Sequence, residues 1–147
     1  ILTGLLATSV EPEPAVTVLN SFCFDWLLRL RSAGTNVSFT YLLPVAVPEA
    51  AMANGLARVP TRTARHAGIA HVTDDRGLWP VIWQSNRAVA EAYGLSATDL
   101  LHILGTFPGV AKKRKEFFAW VLSRVGEWAA EGDREAALRV AETPART

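Results

Sequence analysis

The chain is poor in the residues that staple small folds or arm small enzymes. It has one cysteine and three histidines among 147 residues. One cysteine excludes an internal disulfide and leans toward a reducing compartment. No apolar run approaches the roughly 20 residues that span a bilayer, so no membrane partner is expected. Ile1-Leu2-Thr3-Gly4-Leu5-Leu6 is apolar but has no basic leader, which argues against a signal peptide and for a cytoplasmic protein. The formal charge is only +1, so a nucleic-acid partner must be argued from local clustering. Glycine-rich phosphate loops, a Ser-His-Asp arrangement and an Asp…Glu-x-Lys nuclease signature are all missing.

What is present is globular sequence. Hydrophobic residues make up 50% and charged residues 20%, a balance that suits one domain with a real core. The chain opens inside an apolar pattern without an initiator methionine, so a piece of a larger protein is expected. Repeats and low-complexity segments are not evident.

The expected architecture is α+β and mostly helical, with a short strand element in the first third and a helical C-terminal half. Residues 1–48 read as strand, helix, loop and strand; residues 49–80 as an irregular connection; residues 81–147 as a helical tail. Ile1 to Val10 and Val37 to Leu43 are the strand candidates, the second closed by Pro44. Between them Leu19, Phe22, Cys23, Trp26, Leu27 and Leu30 repeat at helical spacing, and Ser32-Ala33-Gly34 ends the helix. Downstream, Val81 to Tyr93 forms a helix with Gly94 as its left-handed cap. Ser96 starts a short helix, with Asp99 three residues on as a weaker capping box. A long helix runs from about Val110 to Ala130, and Asp133 caps a last one through Leu138.

Two basic groups are candidate sites. Arg29, Arg31, Thr35, Asn36 and Ser38 surround the glycine-broken end of the first helix, where guanidinium groups and short polar side chains suit phosphate oxygens. The plainer reading is a solvated helix C-terminus, where cations also complement the dipole. Lys112, Lys113, Arg114 and Lys115 fall at the start of the longest helix. Cations there oppose the dipole, so they lie either along a nucleic-acid backbone or on a plain solvated face. His66 and His71 have too few companions for a metal site. Cys23 reads as packing, Asp74-Asp75 as a turn, and Trp79, Trp83, Tyr93, Phe107, Phe117 and Phe118 as core.

Two segments carry a family resemblance. Leu19-Asn20-Ser21-Phe22, Arg29-Leu30-Arg31, Gly34-Thr35-Asn36 and Leu43-Pro44-Val45 form the first. Tyr93-Gly94-Leu95-Ser96 and Leu101-His102-Ile103-Leu104-Gly105-Thr106-Phe107-Pro108 form the second. Together they resemble the C-terminal, target-recognition and helical-tail region of large restriction–modification adenine DNA methyltransferases of the Eco57I-like and BREX kinds. Arg31 stands for a family lysine, Asn36 for a histidine, Ser38 for an asparagine, and Asn86 for an acidic residue. The Asn-Pro-Pro-Tyr and glycine-rich cofactor motifs of that family's catalytic domain do not occur here, and no Pro-Pro pair occurs at all. The resemblance therefore implies a DNA-recognition fragment without catalytic residues of its own. S-adenosylmethionine would belong to the parent's catalytic domain, and the partners would be double-stranded DNA and the rest of the parent polypeptide. Asn36 would approach a base, since an amide pairs bidentately with adenine.

A second expectation needs no DNA. The helices from Val81 onward would form a structural or interaction module that docks on a catalytic domain or partner subunit. The stripe of Phe117, Val121 and Trp128 would be its docking face.

Overall fold

A computed structural model describes residues 17–32, 45, 47 and 72–142, with side chains through residue 136. Five helices make up most of it: α1 (Phe22–Arg31), α2 (Trp79–Ala92), α3 (Ala97–Gly105), α4 (Pro108–Lys113) and α5 (Lys115–Glu142). Two single 3-10 turns, Val72–Asp74 and Arg76–Leu78, lead into α2. The helical majority agrees with the sequence. No strand occurs among the described residues, and both strand candidates lie outside them.

The apolar pattern from Leu19 to Leu30 does not form one unbroken helix. Residues 17–19 end one helical stretch, and the chain re-enters a helix at Phe22. Ser21 makes the break. Its hydroxyl donates to the Val18 carbonyl at 2.6 Å and accepts from the Phe24 N–H at 3.2 Å, capping α1. The apolar period continues through this point, so periodicity alone misses it.

α2 begins on Trp79-Pro80, with proline at the first turn, where its missing N–H costs nothing. It buries Trp79, Ile82, Trp83, Ser85, Asn86, Val89 and Ala90. Gly94 ends it at φ 74°, the left-handed region that favours glycine. The Leu95 N–H then reaches back to the Ala90 carbonyl at 2.9 Å, and the Gly94 N–H to Glu91 at 2.9 Å. Ser96 starts α3 with a full reciprocal capping box: its hydroxyl accepts from the Asp99 N–H at 3.2 Å, and Asp99 accepts from the Ser96 N–H at 2.8 Å.

α5 lays Phe117, Val121 and Val125, spaced four residues apart, into the core. Trp79 meets the rings of Phe117 and Trp120 at 5.7 Å each, and Trp83 meets Trp128 at 6.3 Å. These edge-on and tilted contacts form the α2–α5 seam. Cys23 and Phe24 of α1 and Leu100, Ile103 and Leu104 of α3 complete the core.

Two expectations fail in this half. The helix placed over Val110 to Ala130 is broken at Arg114 into α4 and α5. Asp133 caps nothing, because α5 runs on past it to Glu142. Gly132 and Asp133 are both poor helix formers, but Ala129-Ala130-Glu131 before them and Arg134-Glu135-Ala136 after them favour the helix, and the penalty of about 1 kcal/mol for the glycine is too small to stop one already extended.

Candidate nucleic-acid interface

Arg29 lies one turn beyond Asp25 on α1, and the two pair at 3.0 Å. Its remaining donors go to the C-terminus of α3, to the Thr106 carbonyl at 3.1 Å and the Thr106 hydroxyl at 3.3 Å. Its guanidinium carbon sits 4.0 Å from the centre of the Phe107 ring. Phe22 packs edge-on against that ring at 5.0 Å. Phe107 is thus contacted by Phe22 and Arg29, two turns apart on one face of α1. The guanidinium satisfies carbonyl and hydroxyl groups at a helix end, and locks α1 onto α3.

Arg31 is exposed and has no partner among the described residues. Thr35, Asn36 and Ser38 lie outside those residues, as do His66 and His71. Of that predicted cluster only Arg29 and Arg31 are described, and these two do not share a partner.

The second basic group sits differently from its sequence reading. Lys112 and Lys113 occupy the last turn of α4, where a cation complements the dipole. The dipole conflict inferred from a continuous helix disappears for them. Both are exposed, as is Lys115 at the start of α5. Arg114 is the C-cap between the helices, and its guanidinium binds Asp74 at 2.6 Å. Two residues away from each partner, Arg76 pairs with Glu116.

The same habit recurs along the α2–α5 seam. Arg87 binds Glu91 at 3.0 Å and Glu131 at 2.9 Å, with its guanidinium 5.3 Å from the Trp128 ring. Burial pulls its pKa down, but the two carboxylates outweigh that and leave it raised. Arg76 lies 5.4 Å from the Trp79 ring. Arg124 lies 5.4 Å from Trp120 and binds Glu127 at 2.8 Å.

Sequence reasoning missed one polar residue at the α1–α2 contact. Asn86 is 6% exposed; its Oδ1 accepts from the Phe22 N–H at 2.9 Å, and its Nδ2 donates to the Ile82 carbonyl at 2.9 Å. It therefore satisfies an otherwise orphaned donor at the start of a helix 64 residues upstream. A polar residue on the apolar face of α2 was the available signal.

Cys23 is buried, and desolvation pushes its thiol up to about 11. Burial, together with the neighbouring Cys23, lifts Tyr93 to about 12. Among the described residues no three His, Cys, Asp or Glu side chains come together as metal ligands. No helix among them is long and apolar enough to cross a membrane. The docking stripe expected on the long helix is spent inside the chain: Phe117 and Val121 are buried, and Trp128 meets Trp83. No protein-family profile matches the chain, and no curated protein or solved structure is significantly similar to it.

Proposed function

We propose that the chain is a helical interaction module that docks on a catalytic domain or a partner subunit. The observation that carries this reading is the use of its arginines. Arg29, Arg76, Arg87, Arg114 and Arg124 are each bound to a carboxylate of the same chain. A phosphate-binding surface needs guanidinium groups free to face the ligand. Here they fasten helices and cover aromatic rings, as befits a module whose task is to hold a shape. Leu30 on α1 is 65% exposed and Leu101 on α3 50% exposed, and a partner would cover them at no polar cost.

One observation favours a second reading. Lys112, Lys113 and Lys115 are exposed around the α4–α5 joint, and Arg31 is exposed at the end of α1. In that reading the chain lies against double-stranded DNA. The resemblance then supplies the context: a recognition fragment of an adenine methyltransferase whose S-adenosylmethionine site lies elsewhere in the parent.

Fluorescence anisotropy with a labelled duplex, titrated across salt, separates the two. The interaction module shows no binding tighter than the weak non-specific level of about 10⁻⁴–10⁻⁶ M at physiological salt. A tighter, salt-dependent affinity that collapses in Lys112→Ala/Lys113→Ala/Lys115→Ala would hand the function to the second reading. Light scattering on a sizing column supplies the positive arm, because the module reading expects self-association or co-elution with a partner.

A further inference from the structure

The break at Arg114 has no cause in its own sequence. Residues 110–120 read Val-Ala-Lys-Lys-Arg-Lys-Glu-Phe-Phe-Ala-Trp, with neither glycine nor proline and with good helix formers around the bend. The backbone ladder is intact on both sides. The Arg114 N–H reaches Val110 at 2.8 Å, and the Phe118 N–H reaches the Arg114 carbonyl at 2.9 Å. Only the three bonds from Lys115, Glu116 and Phe117 back to Ala111, Lys112 and Lys113 are lacking. Arg114 itself sits at φ −128° and ψ 49°, outside the helical well.

What holds the bend lies elsewhere in the chain. Asp74 binds Arg114 at the bend itself, and Arg76 binds Glu116 just beyond it. The strap that carries both is fixed in turn by the Trp79 indole, which donates to the Thr73 carbonyl at 2.8 Å. α4, by contrast, buries none of its residues. A short helix with no buried side chain, joined to a long one by an almost complete ladder, belongs to the least stable part of a fold.

We propose that the α4–α5 joint is a latched hinge. With the 72–78 strap in place the chain bends at Arg114. When the strap lets go, α4 and α5 join into one helix from Pro108 to Glu142, and the three backbone bonds form. The swing carries Lys112 and Lys113 with α4, so the latch also sets where those two cations point. The Arg76–Glu116 pair is solvent-exposed and the Asp74–Arg114 pair half-exposed, so salt weakens the latch.

The test uses the whole 147-residue chain with spin labels at Gly109→Cys and Ala130→Cys, both exposed, leaving buried Cys23 in place. On a straight helix these positions stand about 32 Å apart at 1.5 Å per residue. Asp74→Asn/Arg76→Gln is expected to add a population at that longer distance, absent from the unaltered strap at low salt. Amide exchange gives a second readout: protection at Lys115, Glu116 and Phe117 rises in the latch variant. The parent strap in 1 M salt shifts the same way, which keeps the test decisive if the variant folds poorly. Unchanged distances and unchanged protection in high salt would overturn the hinge.

Discussion

Replacing Asn86 by alanine probes how α1 is held to α2. The substitution removes the acceptor for the Phe22 N–H and leaves that donor beside the buried face of α2. It also removes the bond to the Ile82 carbonyl. An unpaired buried donor costs about 1–3 kcal/mol, and the second bond adds about 1. A loss of about 2–4 kcal/mol follows, which lowers the melting temperature of a chain this size by about 4–16 °C. Urea denaturation followed by circular dichroism measures it. Asn86→Asp separates shape from hydrogen bonding: one oxygen still accepts from Phe22, but the donor to Ile82 is gone and a charge is buried. Burial raises the folded-state pKa of such a carboxyl above its unfolded value of about 3.9. Its stability is therefore retained below that value and lost as pH rises through the raised folded pKa. The aspartate variant should match the parent best in acid and worst at neutral pH. An alanine variant within about 0.5 kcal/mol of the parent, or an aspartate variant indifferent to pH, would refute this account of the contact.

Three further outcomes follow from other sites. Gly94→Ala places a side chain at φ 74° and should cost about 1–2 kcal/mol, read from the same urea curves, although no neighbouring atom blocks the new methyl group. Hydrogen bonds from the Ser96 N–H and hydroxyl hold the Asp99 pKa down, so its stabilising effect exists above the unfolded pKa and is lost as pH falls through the folded one; the stability difference between the parent and Asp99→Asn should vanish in strong acid. Cys23 should react with an aromatic disulfide reagent only as fast as the chain unfolds, because its thiol is buried and shifted to about 11; rapid labelling in native buffer would contradict its placement.

The parts of this fold that were legible in sequence are those set by near neighbours. Gly94 and the Ser96–Asp99 box declare themselves within five residues, because a left-handed turn and a capping box are made from adjacent chemistry. The aromatic seam was legible as core from its helical spacing. The breaks at Ser21 and Arg114 were not. Each interrupts an apolar or helix-favouring run, and side chains from far along the chain hold the residues there, Asn86 binding the Phe22 N–H from 64 residues away and Asp74 binding Arg114 from 40. The candidate site divides the same way. A basic helix end at Arg29 was visible, but its commitment to Thr106 and Phe107 depends on a contact 77 residues along the chain. Charge patterning reveals which cations exist and leaves open which of them are already engaged.

The α2–α5 seam also gives the protein a built-in optical gauge. Four of its five tryptophans, at 79, 83, 120 and 128, contact aromatic neighbours there, while Trp26 lies on α1, partly buried against the core. Intrinsic emission therefore reports chiefly on that seam. A Trp26→Phe variant isolates its signal, and the difference from the parent spectrum follows the docking of α1. If both traces fall at one denaturant concentration, the first helix and the C-terminal bundle unfold as a single cooperative body.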